Sequence, residues 1–379
     1  MSIYLDYNAS TPLDQRVLDI MTDVYQNKFG NADSRTHDFG EAARSTVESA
    51  RKQVAELLAI NKDEVFFTSG ATESDNIAIL GLQEYADKTF KKHIITTSIE
   101  HKAVLEPLRQ LEKRGFDVTY IDPDLSGRIN ADKLLSKVRN DTLLVSVMHA
   151  NNETGIIQPI DVIGEELSKT ETFFHVDAAQ SFGKLVDELK KVKYNFLSAS
   201  AHKMYGPQGV GILVLKKNRY KMPPVKSIVY GGGQERGIRP GTIPTALIAG
   251  FGKACEIAAK EHSSYFMRYL DNKKFILDAL KSAGVDYSIN GELEYSMPNT
   301  LNVSFNGVNS EALMLATRQF CAVSNGSACN SISYNHSYVL SAMGLNFDRI
   351  ESAIRISWGI DDNGLDNFIK MIEVAKTII

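Results

Sequence analysis

The chain has 379 residues, of which 43% are hydrophobic and 23% charged, and its formal net charge is −4. That is ordinary globular composition, enough for one large domain or two moderate ones with a core that needs no disulfide staples. The acidic balance argues against broad, non-specific nucleic-acid binding, which needs excess Lys and Arg, although a local basic patch stays possible. Cys255, Cys321 and Cys329 are an odd set of three, which fits a reducing compartment and no disulfide framework. The start, Met1 to Asp6, has no basic stretch leading into a long apolar one, so no signal peptide is expected. No run approaches the roughly 18–20 apolar residues that span a bilayer. A cytoplasmic chain is the expectation.

The opening segment Tyr4-Leu5-Asp6-Tyr7-Asn8-Ala9-Ser10-Thr11-Pro12 reads as a short strand and a polar turn. A helix is predicted from Asp14 to Tyr25, and the Gly/Asn/Asp/Ser cluster of residues 29–34 reads as a loop. From Gly40 to Ile60, Ala43, Val47, Ala50, Val54, Leu57 and Leu58 make one apolar helical stripe. Glu64 to Asn76 reads as a strand, a small-residue turn and a helix, with Ser69 or Thr72 available as caps. Free N–H groups at such a helix start suit a phosphate, though a plain capped helix explains the same residues.

Strands are predicted at His93–Ser98, Asp117–Ile121, Leu143–Met148, Thr172–Val176 and Tyr194–Ala199, with a helix from Lys102 to Arg114. This alternation implies βαβ units and a mainly parallel sheet, with Val210–Leu215 as a strand at its edge. Residues 230–242 form a long Gly-rich loop. A long helix is predicted from Ala246 to Ala283, stopped by Gly284. From Asn299 the pattern changes to a smaller α+β unit. Its strands are predicted at Thr300–Phe305, Ala322–Ser324 and Ala353–Trp358, and its helices at Ser310–Gln319 and Val339–Met343.

Two apolar runs end in ionisable residues, at Asp177-Ala178-Ala179-Gln180 and at Ser200-Ala201-His202-Lys203. Ligands of open α/β sheets bind at the carboxyl ends of the strands, so Asp177 and Lys203 are expected in one crevice. A lysine that forms an imine and an aspartate that keeps a pyridine nitrogen protonated suit pyridoxal 5′-phosphate (PLP). A buried ion pair or a satisfied loop reads the same residues more plainly. His101, just past a strand, could stack on a planar ring and move protons, or be structural. Asn152 could donate to a ring oxygen, although Asn-Glu-Thr-Gly is also good turn material. Arg355 interrupts an apolar strand and could grip a carboxylate in two places, or make a structural salt bridge. Cys329 sits in a small polar loop, unlike Cys255 and Cys321 with their apolar neighbours, so its thiol is a candidate nucleophile.

Taken together, the chain resembles a cysteine desulfurase of the NifS/IscS type, in the class V aminotransferase group of fold-type I PLP enzymes. The resemblance covers essentially the whole length. It rests on Tyr4-Leu5-Asp6-Tyr7-Asn8-Ala9, Thr68-Ser69-Gly70-Ala71-Thr72-Glu73-Ser74, Glu100-His101-Lys102, Asn151-Asn152-Glu153, Asp177-Ala178-Ala179-Gln180, His202-Lys203-Met204-Tyr205-Gly206-Pro207, Arg239-Pro240-Gly241-Thr242 and Ser327-Ala328-Cys329. It implies an α/β fold whose large domain has a mainly parallel seven-stranded sheet, joined to a smaller α+β domain. The implied division is residues 16–250 for the large domain and 251–379 for the small one, with residues 1–15 joining the small domain.

The resemblance also implies roles. Lys203 would hold PLP and remove the substrate's Cα proton. Asp177 would face the pyridine nitrogen, Gln180 the ring hydroxyl and His101 the ring face. Ala71, Thr72, Ser200 and His202 would hold the phosphate, joined by Thr242 from the second subunit of a homodimer. Arg355 and Asn152 would hold the substrate, L-cysteine. Cys329 would take its sulfur as a persulfide, releasing alanine, and pass it to an acceptor protein. No metal and no direct nucleic-acid or membrane contact is implied.

Two departures bear on the partner. The end at Ile379 sets the expectation that the extension docking an iron–sulfur scaffold is missing, and Arg239-Pro240-Gly241-Thr242 replaces the usual Arg-Ser-Gly-Thr. The sequence is also similar to desulfurases serving DNA phosphorothioation, with iron–sulfur cluster and tRNA thiolation routes as other destinations. A selenocysteine lyase or another class V lyase or aminotransferase is the rival enzyme, and a scaffold with a vestigial PLP site is the rival of another class.

Overall fold

The computed structural model describes residues 2–218, 221–325, 336–361 and 364–378. After β1 (Ile3–Tyr4), Asp14 accepts the Arg16 N–H and so caps α1 (Gln15–Asn27). In α2 (Asp38–Leu58) the apolar stripe from Ala43 to Leu58 is buried, as its spacing predicts. Alternation follows: β2 (Val65–Thr68), α3 (Ala71–Leu80), α4 (Gln83–Thr89), β3 (His93–Thr97), α5 (Lys102–Glu112), β4 (Asp117–Ile121), α6 (Ala131–Leu135) and β5 (Thr142–Met148). It continues with α7 (Ile160–Leu167), β6 (Phe173–Asp177), α8 (Val186–Leu189), β7 (Phe196–Ser200) and β8 (Gly211–Leu215).

These strands form one seven-stranded sheet in the order β2-β8-β7-β6-β5-β3-β4. The neighbours from β4 through β7 pair in parallel, and β8 runs antiparallel to both β7 and β2. The expectation of an edge position for residues 210–215 is therefore wrong, because β2 holds that edge. Every residue of β8 is buried, and an unbroken apolar strand of that kind needs neighbours and cover on both sides. Gly211 allows the insertion. A Cβ there would lie 2.5 Å from the Ala199 carbonyl oxygen and 2.6 Å from Gly70 Cα, so β8 and the start of α3 meet backbone to backbone.

The long helix α9 (Thr245–Ala283) ends at Gly284, whose φ of 65° is the left-handed cap that glycine favours. It runs without a break through residue 250. Ile248, Phe251, Cys255 and Ile257 join the main core, whereas Tyr269, Ile276 and Leu280 join a second. That second core contains β9 (Tyr287–Ile289), β10 (Thr300–Phe305), α10 (Ser310–Thr317) and β11 (Cys321–Ala322). α11 (Tyr338–Ala342), α12 (Phe347–Glu351), β12 (Ala353–Ser357) and α13 (Asp366–Ile378) complete the chain. β10 lies between β12 and β9 in an antiparallel sheet, and β1 pairs in parallel with β11. Leu5 packs with Val303, Ile354, Trp358 and Phe368, which ties the N-terminal segment to this second core. Among the described residues, no helix is long and apolar enough to cross a membrane.

Candidate active site

Asp177 ends β6 and Ser200 ends the adjacent β7, with Asp177 opposite Ser198 in the parallel register. The turn after β7 carries His202 and Lys203. The Lys203 ammonium donates to the Asn8 carbonyl at 2.5 Å and to the Ala9 carbonyl at 2.8 Å. The Gln180 amide donates to the same Asn8 carbonyl at 3.0 Å. Three segments distant in sequence thus converge on one buried backbone oxygen at the carboxyl end of the sheet.

Asp177 is buried, and its carboxylate accepts the Ala179 N–H at 2.8 Å. Burial, reinforced by the nearby Asp75 carboxylate, pushes its pKa up to about 6, while the Ala179 N–H, His101 and His175 pull against that shift. His101 caps α5, its Nδ1 accepting the Ala103 N–H at 3.1 Å, so a neutral ring carries its proton at Nε2. Burial holds its pKa below the usual range. Asp177 opposes that shift and Lys203 adds to it, so the ring feels both members of the pair predicted from the sequence.

At the turn predicted to suit a phosphate, the structure corrects the cap. The N-cap of α3 is Gly70, without a side-chain cap bond, and Glu73 reaches back to accept the Ser69 N–H at 2.5 Å. Neither Ser69 nor Thr72 caps the helix. Ala71 and Thr72 open α3, with Thr72 exposed. The Ser200 hydroxyl lies 3.7 Å from where a Cβ on Gly70 would be, so it faces the same turn. His202 Nδ1 is 3.2 Å from the Ser10 hydroxyl, and burial followed by Lys203 and Lys184 lowers its pKa to about 4. A neutral imidazole would meet an anion through hydrogen bonding rather than charge. Thr242 is exposed in the loop before α9.

Arg355 lies on β12 with a buried side chain. Its Nη2 donates to Asp6 Oδ1 at 2.6 Å and its Nη1 to the Asn152 carbonyl at 2.9 Å. Its Nε and the Asn152 side-chain oxygen are buried without a hydrogen-bond partner among the described residues, and so is the Gln180 side-chain oxygen. Cys329 lies outside the described residues. Cys255 and Cys321 are buried, and burial raises Cys255 well above the thiol range and Cys321 to about 12, which fits structural roles.

The Aminotransferase class-V family model matches residues 3–364. The chain belongs to the class-V aminotransferases. The cysteine desulfurase IscS of Vibrio cholerae is 45% identical over 380 residues, covering 99% of this chain and 93% of the relative. Among solved structures, a NifS-like protein matches with a TM-score of 0.91 at 38% identity, with both chains fully covered. DndA from Streptomyces lividans matches with a TM-score of 0.81 at 42% identity, covering 94% of this chain and 99% of that one.

Class-V aminotransferases use PLP, and the donor set here fits it. Around Asn8 lie a primary amine and two buried amide oxygens without partners among the described residues, with the buried Asp177 carboxylate on the same strand end as Gln180, a donor set that suits a polar aromatic aldehyde. Sequence reasoning missed several polar residues next to the predicted set. Asn8 is a junction: besides accepting from Lys203 and Gln180, its side chain bonds the Asn152 carbonyl and the Thr300 hydroxyl. Asp75, Glu100 and His175 are fully buried and polar around Asp177. A polar residue inside an apolar strand, such as His175 in Phe173–Asp177, was the available signal.

Proposed function

We propose that this chain is a cysteine desulfurase that takes sulfur from L-cysteine with PLP on Lys203, forms a persulfide on Cys329 and passes it to an acceptor protein. The observation that carries the reading is the convergence of Lys203 and Gln180 on the Asn8 carbonyl beside Asp177. When bound, PLP supplies an electron sink for cleavage at the substrate's Cα. Asp177 would keep a proton on the ring nitrogen, Gln180 would meet the ring hydroxyl and His101 would stack on the ring. Ala71, Thr72, Ser200 and His202 would hold the phosphate, joined by Thr242 across a homodimer. Arg355 binds the substrate carboxylate beside Asn152. With the Cα proton held on Lys203 Nζ, the Cys329 thiolate attacks the substrate sulfur: an S–S bond forms, the Cβ–S bond breaks, Cβ takes up the proton given up by the substrate thiol, Cα regains its proton from Lys203, and alanine leaves.

The neighbours named IscS and DndA support this reading, and cytoplasmic work is part of it. The deciding experiment is Cys329→Ala incubated with L-cysteine. The variant should keep the visible band of bound PLP and lose protein persulfide. Alanine release at the wild-type rate would instead favour a lyase, and a purified wild-type protein without the band would favour a scaffold. Trapping the Cys329 persulfide with candidate partners sorts iron–sulfur, tRNA-thiolation and DNA-phosphorothioation acceptors.

A further inference from the structure

A second carboxylate lies beneath Asp177. Asp75 sits on α3 and its side chain is fully buried. Neither of its oxygens has a hydrogen-bond partner among the described residues, and His175 Nε2 lies 3.4 Å from Oδ1. His175 and Asp177 are two positions apart on β6, so both side chains point to one face, the face where Asp75 of α3 meets His175. The His175 ring is held between two serines, with Nδ1 2.8 Å from the Ser146 hydroxyl on β5 and Nε2 3.0 Å from the Ser198 hydroxyl on β7. Ser198 also faces Asp75. The result is a buried chain, Ser146–His175–Ser198–Asp75, running behind Asp177.

Charge decides what this chain can do. Two buried carboxylates at close range cannot both ionise cheaply. Burial drives the Asp75 carboxyl up to about 7 and His175 down to about 4, so the imidazole between them is neutral and balances neither. The other groups facing the pair are Glu100, itself buried and pushed well above the carboxylate range, and His101, held low by burial. A protonated ring nitrogen would balance one negative charge, and it would lie against Asp177.

We propose that Asp75 is a positioning residue for Asp177: it carries the proton of the buried carboxylate pair, next to the Ser198–His175 chain, so that Asp177 alone is ionised toward the cofactor. The inference rests on the reading that Asp177 faces the ring nitrogen. It explains why a carboxyl group flanked by only a serine hydroxyl and a neutral imidazole is retained in the core. As a neutral acid it gives Asp177 an ionised state without a second buried charge.

The test is infrared spectroscopy of the PLP-loaded protein at pH 7, with aspartate-selective 13C labelling to separate Asp75 from Glu100 and Glu153. A protonated aspartic-acid carbonyl band is expected, persisting in Asp177→Asn and vanishing in Asp75→Asn. Asp75→Asn copies the neutral acid, so its PLP affinity at pH 7 should stay within about threefold of wild type. Absence of an aspartic-acid band in the wild-type protein overturns the proposal, and that measurement needs no variant to fold. A tenfold or greater loss of PLP affinity in a normally melting Asp75→Asn also overturns it. If Asp177→Asn binds PLP as the wild type does, the reading of the site fails instead, independently of the state of Asp75.

Discussion

Arg355 Nη2 and Asp6 Oδ1 are 2.6 Å apart, an ion pair that joins the N-terminal segment to β12 across 349 residues of chain. Asp6 and the Asn152 carbonyl orient the guanidinium, with Nε left without a partner among the described residues. Arg355→Lys keeps a charge but loses the planar fork. Under the proposed role, KM for L-cysteine should rise by about tenfold or more, in line with the roughly 1.5–3 kcal/mol of a charged hydrogen bond. Steady-state kinetics and PLP absorbance check this together: the band should persist while KM rises.

Lys184 is buried, its amine without a hydrogen-bond partner among the described residues, beside a small cavity lined by Tyr205, Tyr265 and Tyr269. Burial, with Lys203 adding repulsion, depresses its pKa to about 7 from 10.5. The unfolded chain therefore binds more protons than the folded one between those values, and this group makes stability rise with pH from about 7 to 10.5. Lys184→Met should remove that rise and stabilise the protein at pH 7 by roughly 2–4 kcal/mol. Denaturant unfolding at pH 7 and pH 9.5 measures both effects.

Glu235 anchors the Gly-rich loop that leads to Thr242. Its carboxylate accepts two bonds from Arg51, at 2.7 and 2.8 Å, and the Phe67 N–H at 2.8 Å, all buried. Glu235→Gln leaves Arg51 buried beside a neutral amide. A loss of about 3–5 kcal/mol is expected, as for other broken buried pairs. Chemical denaturation reads that loss. Unchanged stability would show that the loop is held by other means.

Gly211→Ala tests the backbone contact between β8 and the α3 turn. The new methyl would have to displace the Ala199 carbonyl or Gly70, neither of which is a flexible side-chain end. The expected cost is about 1–3 kcal/mol, the usual range for overpacking. PLP affinity should fall by about tenfold as the start of α3 moves. A thermal melt with a PLP titration separates the two effects.

Much of the architecture was legible because strong local signals agreed with the fold. The α2 stripe, the β4 and β10 boundaries, and the Gly284 stop follow from periodicity and glycine conformation. The order of strands was not legible. A fully apolar run such as Gly211–Leu215 says that it is covered, not by which neighbours, so β8 was misplaced at an edge. The α3 cap was misread because Glu73 reaches back to Ser69 in place of a Ser or Thr hydroxyl.

The sequence alone determined the chemistry on offer: a lysine and an aspartate at strand ends, a histidine at a helix start, an arginine in a strand and a thiol at Cys329. Residue types set which bonds and protons are possible, and strand alternation sets which end of the sheet receives them. Only the tertiary structure decided that Asn8 is where Lys203 and Gln180 meet, that Arg355 is held by Asp6, and that Asp75 lies behind Asp177. The reason is physical. Charge state and hydrogen-bond partnership depend on burial and on neighbours tens or hundreds of residues away, and no local pattern in the chain encodes either.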